Sequence, residues 1–196
     1  MVTVEIELTV MNKQRKAPGD LERVRRFVNT LQVGRKTDLL SDTAGVAEWF
    51  AHEDLAPAGV RVARADLRHA TQLREALREV LAAHNDGGPV PAEATRILDD
   101  AARRARLRLR FEDDGGAALV PEAGGVAGAL GRLLAIVHDS IAEGTWGRLK
   151  ACRDHDCSWA FYDHTKNRSG AWCSMETCGN RAKARAYRDR HATPAR

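Results

Sequence analysis

A chain of 196 residues, 43% hydrophobic and 30% charged, can bury one compact domain with a small appendage and is too apolar to be wholly disordered. Its formal net charge of +4 is too small to name a partner. The longest apolar stretch, around Leu133 to Val137, is far too short to span a bilayer, and the first ten residues carry Glu5 and Glu7 and no basic segment, so neither membrane insertion nor secretion is expected.

Residues 2–10 alternate, with Val2, Val4, Ile6, Leu8 and Val10 on one side and Thr3, Glu5, Glu7 and Thr9 on the other, the pattern of a half-buried strand. After Pro18-Gly19, Asp20 is placed to cap a helix with Leu21, Val24, Phe27, Val28 and Leu31 inward. A second helix includes Val46, Trp49 and Phe50. A longer one runs from about Asp66 to His84 and stops at Asn85-Asp86-Gly87-Gly88, and Pro91 opens another with Ile97 and Leu98.

Leu107, Leu109 and Phe111 alternate with Arg106, Arg108 and Arg110, and Asp113-Asp114-Gly115-Gly116 turns the chain into Ala118-Leu119-Val120, which predicts a β-hairpin. The arginines fit a solvated strand face, with Glu5 and Glu7 as candidate partners on a neighbouring strand. A helix over about Val126 to Ala142 follows, with Leu130, Leu133, Leu134, Val137 and Ile141 inward; Gly125, Gly128 and Gly131 within this pattern point to close helix packing.

From Arg148 onward the chain holds eleven Lys/Arg against five Asp/Glu, and all four cysteines. Cys152-x4-Cys157, a spacer of fifteen residues, then Cys173-x4-Cys178 is the pattern of a structural zinc site rather than of a secreted disulfide framework. In a tetrahedral site the sulfurs lie about 3.7 Å apart, so each pair must come from a tight turn or a first helical turn. Ser158 to Tyr162 and Gly170 to Trp172 read as two strands joined by Asp163 to Ser169, and Ser174 caps a basic helix running to about His191, with Met175, Cys178, Ala182 and Ala186 on its inner face. Four sulfurs complete the shell, which leaves His155 and His164 as surface residues and gives the metal no open position for hydrolysis. No H-E-x-x-H, G-x-S-x-G or Gly-rich phosphate loop is present, and no enzymatic activity is expected.

Trp172-Cys173-Ser174, then Cys178-Gly179-Asn180-Arg181 and a basic helix, with Phe161, Asp163, Asn167 and Arg168 in the hairpin, closely resemble the CGNR zinc finger of bacterial transcription regulators. Phe27-Val28-Asn29-Thr30 resembles the opening motif of the ABATE domain that usually precedes that finger. The fold expected is α+β: a mostly helical N-terminal domain with a small antiparallel sheet over 1–145, plus a treble-clef-like finger over 146–196.

The resemblance implies binding of double-stranded DNA in the bacterial cytoplasm with one structural Zn²⁺. Arg181, Arg185 and Arg188 recur at i, i+4 and i+7, with Lys183 and Arg190 opposite and Lys166 and Arg168 in the hairpin turn, a basic footprint suited to a duplex. A single small module binds weakly, so a homodimer through the N-terminal domain is expected, and that domain is a candidate sensor of a small-molecule effector. Two other readings stay open. One is a protein-interaction adaptor whose basic helix docks on an acidic partner; the other is a single-stranded RNA binder stacking bases on Trp159, Phe161, Tyr162 and Trp172.

Overall fold

Phe27 of helix α1 (Leu21–Val28) meets Trp49 and Phe50 of α2 with ring centroids 5.2 and 6.1 Å apart, and this aromatic trio seeds the core. The computed structural model describes residues 16–191, so the strand expected over 2–10 lies outside the described residues. Helix α1 ends before Leu31, which instead opens β1 (Leu31–Gln32), paired antiparallel with β2 (Thr37–Asp38). Asp20 does not cap α1 through its side chain; its carboxylate pairs with Arg23 at 3.1 Å. The effective cap belongs to α2 (Thr43–His52), where the Asp42 carboxylate accepts the Gly45 N–H at 2.8 Å.

Helix α3 (Arg64–Asp86) is the central strut, packing against α1, α2, the later helices Ala92–Ala105 and Gly125–Ala142 and the strand Leu149–Ala151. Its inner stripe is Ala70, Leu73, Leu77, Val80 and Leu81, and it stops where Gly87 takes the left-handed conformation (φ +70°). Helix α4 (Ala92–Ala105) follows Pro91, and β3 (Leu107–Phe111) then pairs antiparallel with β4 (Ala117–Pro121), Leu107 opposite Pro121 and Phe111 opposite Ala117. The expected arginine face is solvated: Arg108 reaches Glu122 at 2.9 Å and Arg110 reaches Glu112 at 3.3 Å. The apolar side departs from expectation, because Leu109 and Phe111 are exposed beyond the reach of the helices.

Helix α5 (Gly125–Ala142) is apolar and long enough to cross a membrane by composition, and in the fold Val126, Ala129, Leu130, Leu133 and Leu134 are buried in the core. Ile141, expected inward, is exposed, while Ser140 beside it is buried. Gly131 owes its identity to packing: a Cβ there would stand 2.6 Å from Ala105 Cβ and 2.9 Å from Pro121 Cβ.

The last three elements are β5 (Leu149–Ala151), β6 (Ala160–Tyr162) and α6 (Asn180–His191). Strand β6 forms where expected, but its partner is β5, upstream, with Leu149 opposite Tyr162. Residues 170–172 form no strand. Their polar backbone groups are taken elsewhere: the Gly170 N–H by the Asp163 carboxylate, and the Ala171 carbonyl by the Arg153 N–H and the Asn85 side chain. Leu149, Ala151, Ala160 and Tyr162 join the main core, so the C-terminal segment is built onto the helical domain rather than hung from it.

Candidate metal centre and its basic helix

Two peptide N–H groups shape the first knuckle: those of Cys157 and Ser158 both donate to the Asp154 carbonyl, at 2.8 and 2.9 Å, folding the x4 spacer into a tight turn. At the other end the Ser174 side chain accepts the Thr177 N–H, and a wide helical turn over Met175–Gly179 leads into α6 and carries Cys178. All four Sγ atoms, of Cys152, Cys157, Cys173 and Cys178, lie within 4.8 Å of one another, with Cys157 to Cys173 and Cys173 to Cys178 both 3.6 Å. That spacing is far beyond a disulfide bond and close to the roughly 3.7 Å edge of a tetrahedral Zn–S4 site.

The electrostatics point the same way. Hydrogen bonds from the Cys157 and Cys173 thiols hold Cys152 well below the usual thiol range, while Cys157 is pushed up to about 12 and Cys173 is raised as well, each by its bond to the Cys152 sulfur first. Burial is the main cause that raises Cys178. Four sulfurs this close cannot all ionise by themselves; a divalent cation is what makes four thiolates compatible. The donor set fits one structural zinc ion, and a shell of four sulfurs leaves no place for a substrate.

Each residue of the tetrapeptide after this turn has a physical task. Cys178 supplies a sulfur. Gly179 makes room, because a Cβ there would lie 2.6 Å from Met175 Sδ and 3.3 Å from the Trp172 ring. The Asn180 side-chain amide donates to the Glu176 carbonyl at 3.0 Å, and Arg181 donates to the Cys178 Sγ at 3.3 Å. Arg181 also meets the Asp154 carboxylate at 3.2 Å, and Arg185 bridges Asp154 and Asp156 at 2.9 Å each. Asp154 is buried, so these contacts latch α6 to the first knuckle in a partly desolvated setting.

A second buried pair sets the loop between β6 and Cys173. Lys150 Nζ donates to the Asp163 carboxylate at 2.8 Å, both residues being buried, and to the carbonyls of Arg168 and Gly170. Burial alone would raise the Asp163 carboxyl, yet the hydrogen bonds from Lys150, Thr165 and the Gly170 backbone outweigh it and hold it well below the ordinary carboxylate range.

The helical domain grips this segment by its backbone. Asn29 accepts the Ala160 N–H at 2.8 Å and donates to the Ala160 carbonyl at 2.9 Å. Arg78 donates to the carbonyls of Val28 and Ser158, Asn85 to those of Ala151 and Ala171, and Arg153 pairs with Asp86 at 2.7 Å. His84 is set against Leu149 at 2.9 Å and edge-on to Trp146, and burial keeps its pKa below 6.5.

The basic residues singled out from the sequence divide in two. Lys166 and Arg168 sit exposed on the loop after β6, and Lys183, Arg188 and Arg190 are exposed on α6 with no acidic partner within ion-pair distance among the described residues. Arg181 and Arg185 are committed to the knuckle. Of the residues expected on the inner face of α6, Ala182 is half-buried, whereas Ala186 and, in the turn before α6, Met175 are exposed, so beyond Ala182 the helix is held to the finger through Arg185. His155 and His164 lie on the surface as expected. Phe161 and Tyr162 are buried, and Trp159 and Trp172 pack against the sulfur cluster, so these four rings serve as packing.

Asp154, Asp156, Asn29 and Asn85 are the site residues that sequence reasoning missed. Two acidic residues inside the x4 spacer of a basic module were the available signal for the first pair; an asparagine following an inward Phe27-Val28 was the signal for the third.

Two family models match the chain. The CGNR zinc finger matches residues 148–191, and the ABATE model, described as "Putative stress-induced transcription regulator", matches residues 22–143, well over half of the chain. No curated protein matches it.

Proposed function

Because the chain belongs to the ABATE family and carries a CGNR zinc finger, we propose that it is a transcription regulator that binds double-stranded DNA through helix α6 and the loop after β6. Its action is binding, with no catalytic step. The observation that carries this reading is the division of the basic residues. Arg181 and Arg185 neutralise Asp154 and Asp156 and fix the helix, which leaves Lys166, Arg168, Lys183, Arg188 and Arg190 exposed as the cationic surface. Cys152, Cys157, Cys173 and Cys178 would hold a zinc ion that ties the knuckle to the turn leading into α6 and supplies rigidity rather than reactivity. Twelve helical residues span about 18 Å, enough to lie in a major groove, where lysine and arginine meet phosphates or guanine edges.

The test is salt dependence. With five phosphate contacts, log affinity for duplex fragments should fall with log salt at a slope of about −4 to −5, and Lys183→Ala or Arg188→Ala should each flatten it by about one. Arg185→Ala should instead lower affinity by loosening the helix, with metal retention reduced. A slope near zero, or recovery of a stoichiometric acidic protein partner without any duplex binding, would overturn this reading.

A further inference from the structure

Arg181, Ala182 and Arg185 mark the side of α6 that is turned to the finger: the two arginines pair with Asp154 and Asp156, and Ala182 is half-buried. Two residues past Arg185 a helix has turned by about 200°, so Tyr187 lies on the opposite side. Tyr187 is 59% exposed, and its hydroxyl has no hydrogen-bond partner among the described residues. Core packing therefore does not account for an aromatic ring on this helix. The ring is nevertheless held in place, because His191 donates to the Tyr187 carbonyl at 2.8 Å and stacks on the ring with centroids 4.1 Å apart.

The same periodicity sorts the charges of α6. Lys183 stands four residues before Tyr187 and Arg190 three after it, so both share its face, and Arg188, about 100° round, borders that face on the other flank. Asp189, the one acid of α6, falls on the finger side, about 160° from Tyr187. Ala184 beside Tyr187 is exposed and short, so it does not hold a partner off the ring. The side of α6 turned away from the finger is thus an aromatic ring flanked by cations and free of acids.

A major groove is about 12 Å wide and a helix with its side chains about 10–12 Å across, so a helix backed by the finger brings its far side to the groove floor and its flanks to the phosphate walls. Resting on the duplex binding proposed above, we propose that Tyr187 is the specificity-determining residue of α6, meeting base edges while Lys183, Arg188 and Arg190 meet phosphates. Tyrosine has the chemistry for this: its hydroxyl both donates and accepts, and its ring offers an apolar contact to a thymine methyl. The stack on His191 fixes the ring before binding, which lowers the ordering cost. Stacking of single-stranded bases fits less well, because His191 already covers one side of the ring.

The experiment selects duplexes from a random-sequence pool with the full-length, zinc-loaded protein, then measures affinity for the selected duplex and for its scrambled counterpart over a range of salt. The wild type is expected to prefer the selected duplex. Tyr187→Ala should lower that preference by about tenfold or more, with zinc content and salt slope unchanged, and Tyr187→Asn should shift the selected sequence toward adenine at one or two neighbouring positions. Arg188→Ala should instead weaken both duplexes equally and flatten the slope by about one. A preference within about twofold of wild type in Tyr187→Ala, zinc loss from that variant, an unchanged sequence from Tyr187→Asn, or a wild type that binds duplex with the expected slope but selects no sequence would overturn the assignment of Tyr187 and leave duplex binding standing. A wild type that binds no duplex, or binds single-stranded RNA more tightly, would overturn both.

Discussion

Removing the Asn29 side chain tests whether the helical domain and the metal-binding segment melt as one unit. Asn29 is buried, and Asn29→Ala deletes both of its bonds to the Ala160 backbone, which is itself fully buried. The Ala160 carbonyl keeps a long contact to Arg25 at 3.5 Å, but its N–H loses its partner. An orphaned buried donor costs about 1–3 kcal/mol, and the lost acceptor bond adds about 1 kcal/mol, so the expected loss is about 2–4 kcal/mol. Against a total stability of about 5–15 kcal/mol this is large, worth about 2–4 °C in Tm for each kcal/mol in a chain of this size. Urea denaturation followed in parallel by far-ultraviolet circular dichroism and by zinc release to a chromogenic chelator measures it. Both probes should shift together in Asn29→Ala, with zinc released about tenfold faster or more, while Asn167→Ala on the exposed loop should change stability by no more than about 0.5 kcal/mol. A loss below about 1 kcal/mol, or a shift in one probe alone, would refute the argument that the Asn29 bridge fuses the two parts.

Three further outcomes follow from individual contacts. The Asp163 carboxyl is depressed in the fold, so its contribution is fully present above the unfolded value near 3.8 and fades as pH falls below it; Asp163→Asn should flatten that acid limb and, by leaving Lys150 without its buried counter-ion, cost about 3–5 kcal/mol at neutral pH in urea titrations. His84 is held neutral by burial, so the unfolded chain binds more protons and stability should decline as pH drops through 6.5; His84→Gln should remove that decline in thermal melts between about pH 7 and pH 5. Gly131→Ala forces a methyl against Ala105 and Pro121, and should cost about 1–3 kcal/mol by denaturation, whereas Gly147→Ala, where a Cβ meets nothing within 4 Å, should not.

The helices were legible because their cause is local. Apolar positions at helical spacing, Pro91 at a start and Gly87 at a stop fix α3 and α5 to within two residues and the start of α4 to within one, and the sulfur quartet follows from spacing alone. Strand pairing was less legible. Gly170 to Trp172 has the composition of a strand next to the β6 segment, but the pairing was settled by Asp163 and Asn85 drawing off its polar backbone groups, one of them from a helix far away in sequence. The arginines of α6 were legible as a charge and not as a role. Periodicity puts Arg181, Arg185 and Arg188 on one face, yet two of them find carboxylates about thirty residues upstream because the metal site folds the knuckle beneath the helix.

Short-range physics, in the form of propensity, periodicity and ligand spacing, thus let the amino-acid order alone determine which segments are helical and which four side chains gather a metal. Which cations stay exposed and how tightly the metal segment is held to α3 were decided only in three dimensions. Each depends on a buried polar group finding its partner across tens of residues, and a linear pattern records the groups but not their meeting.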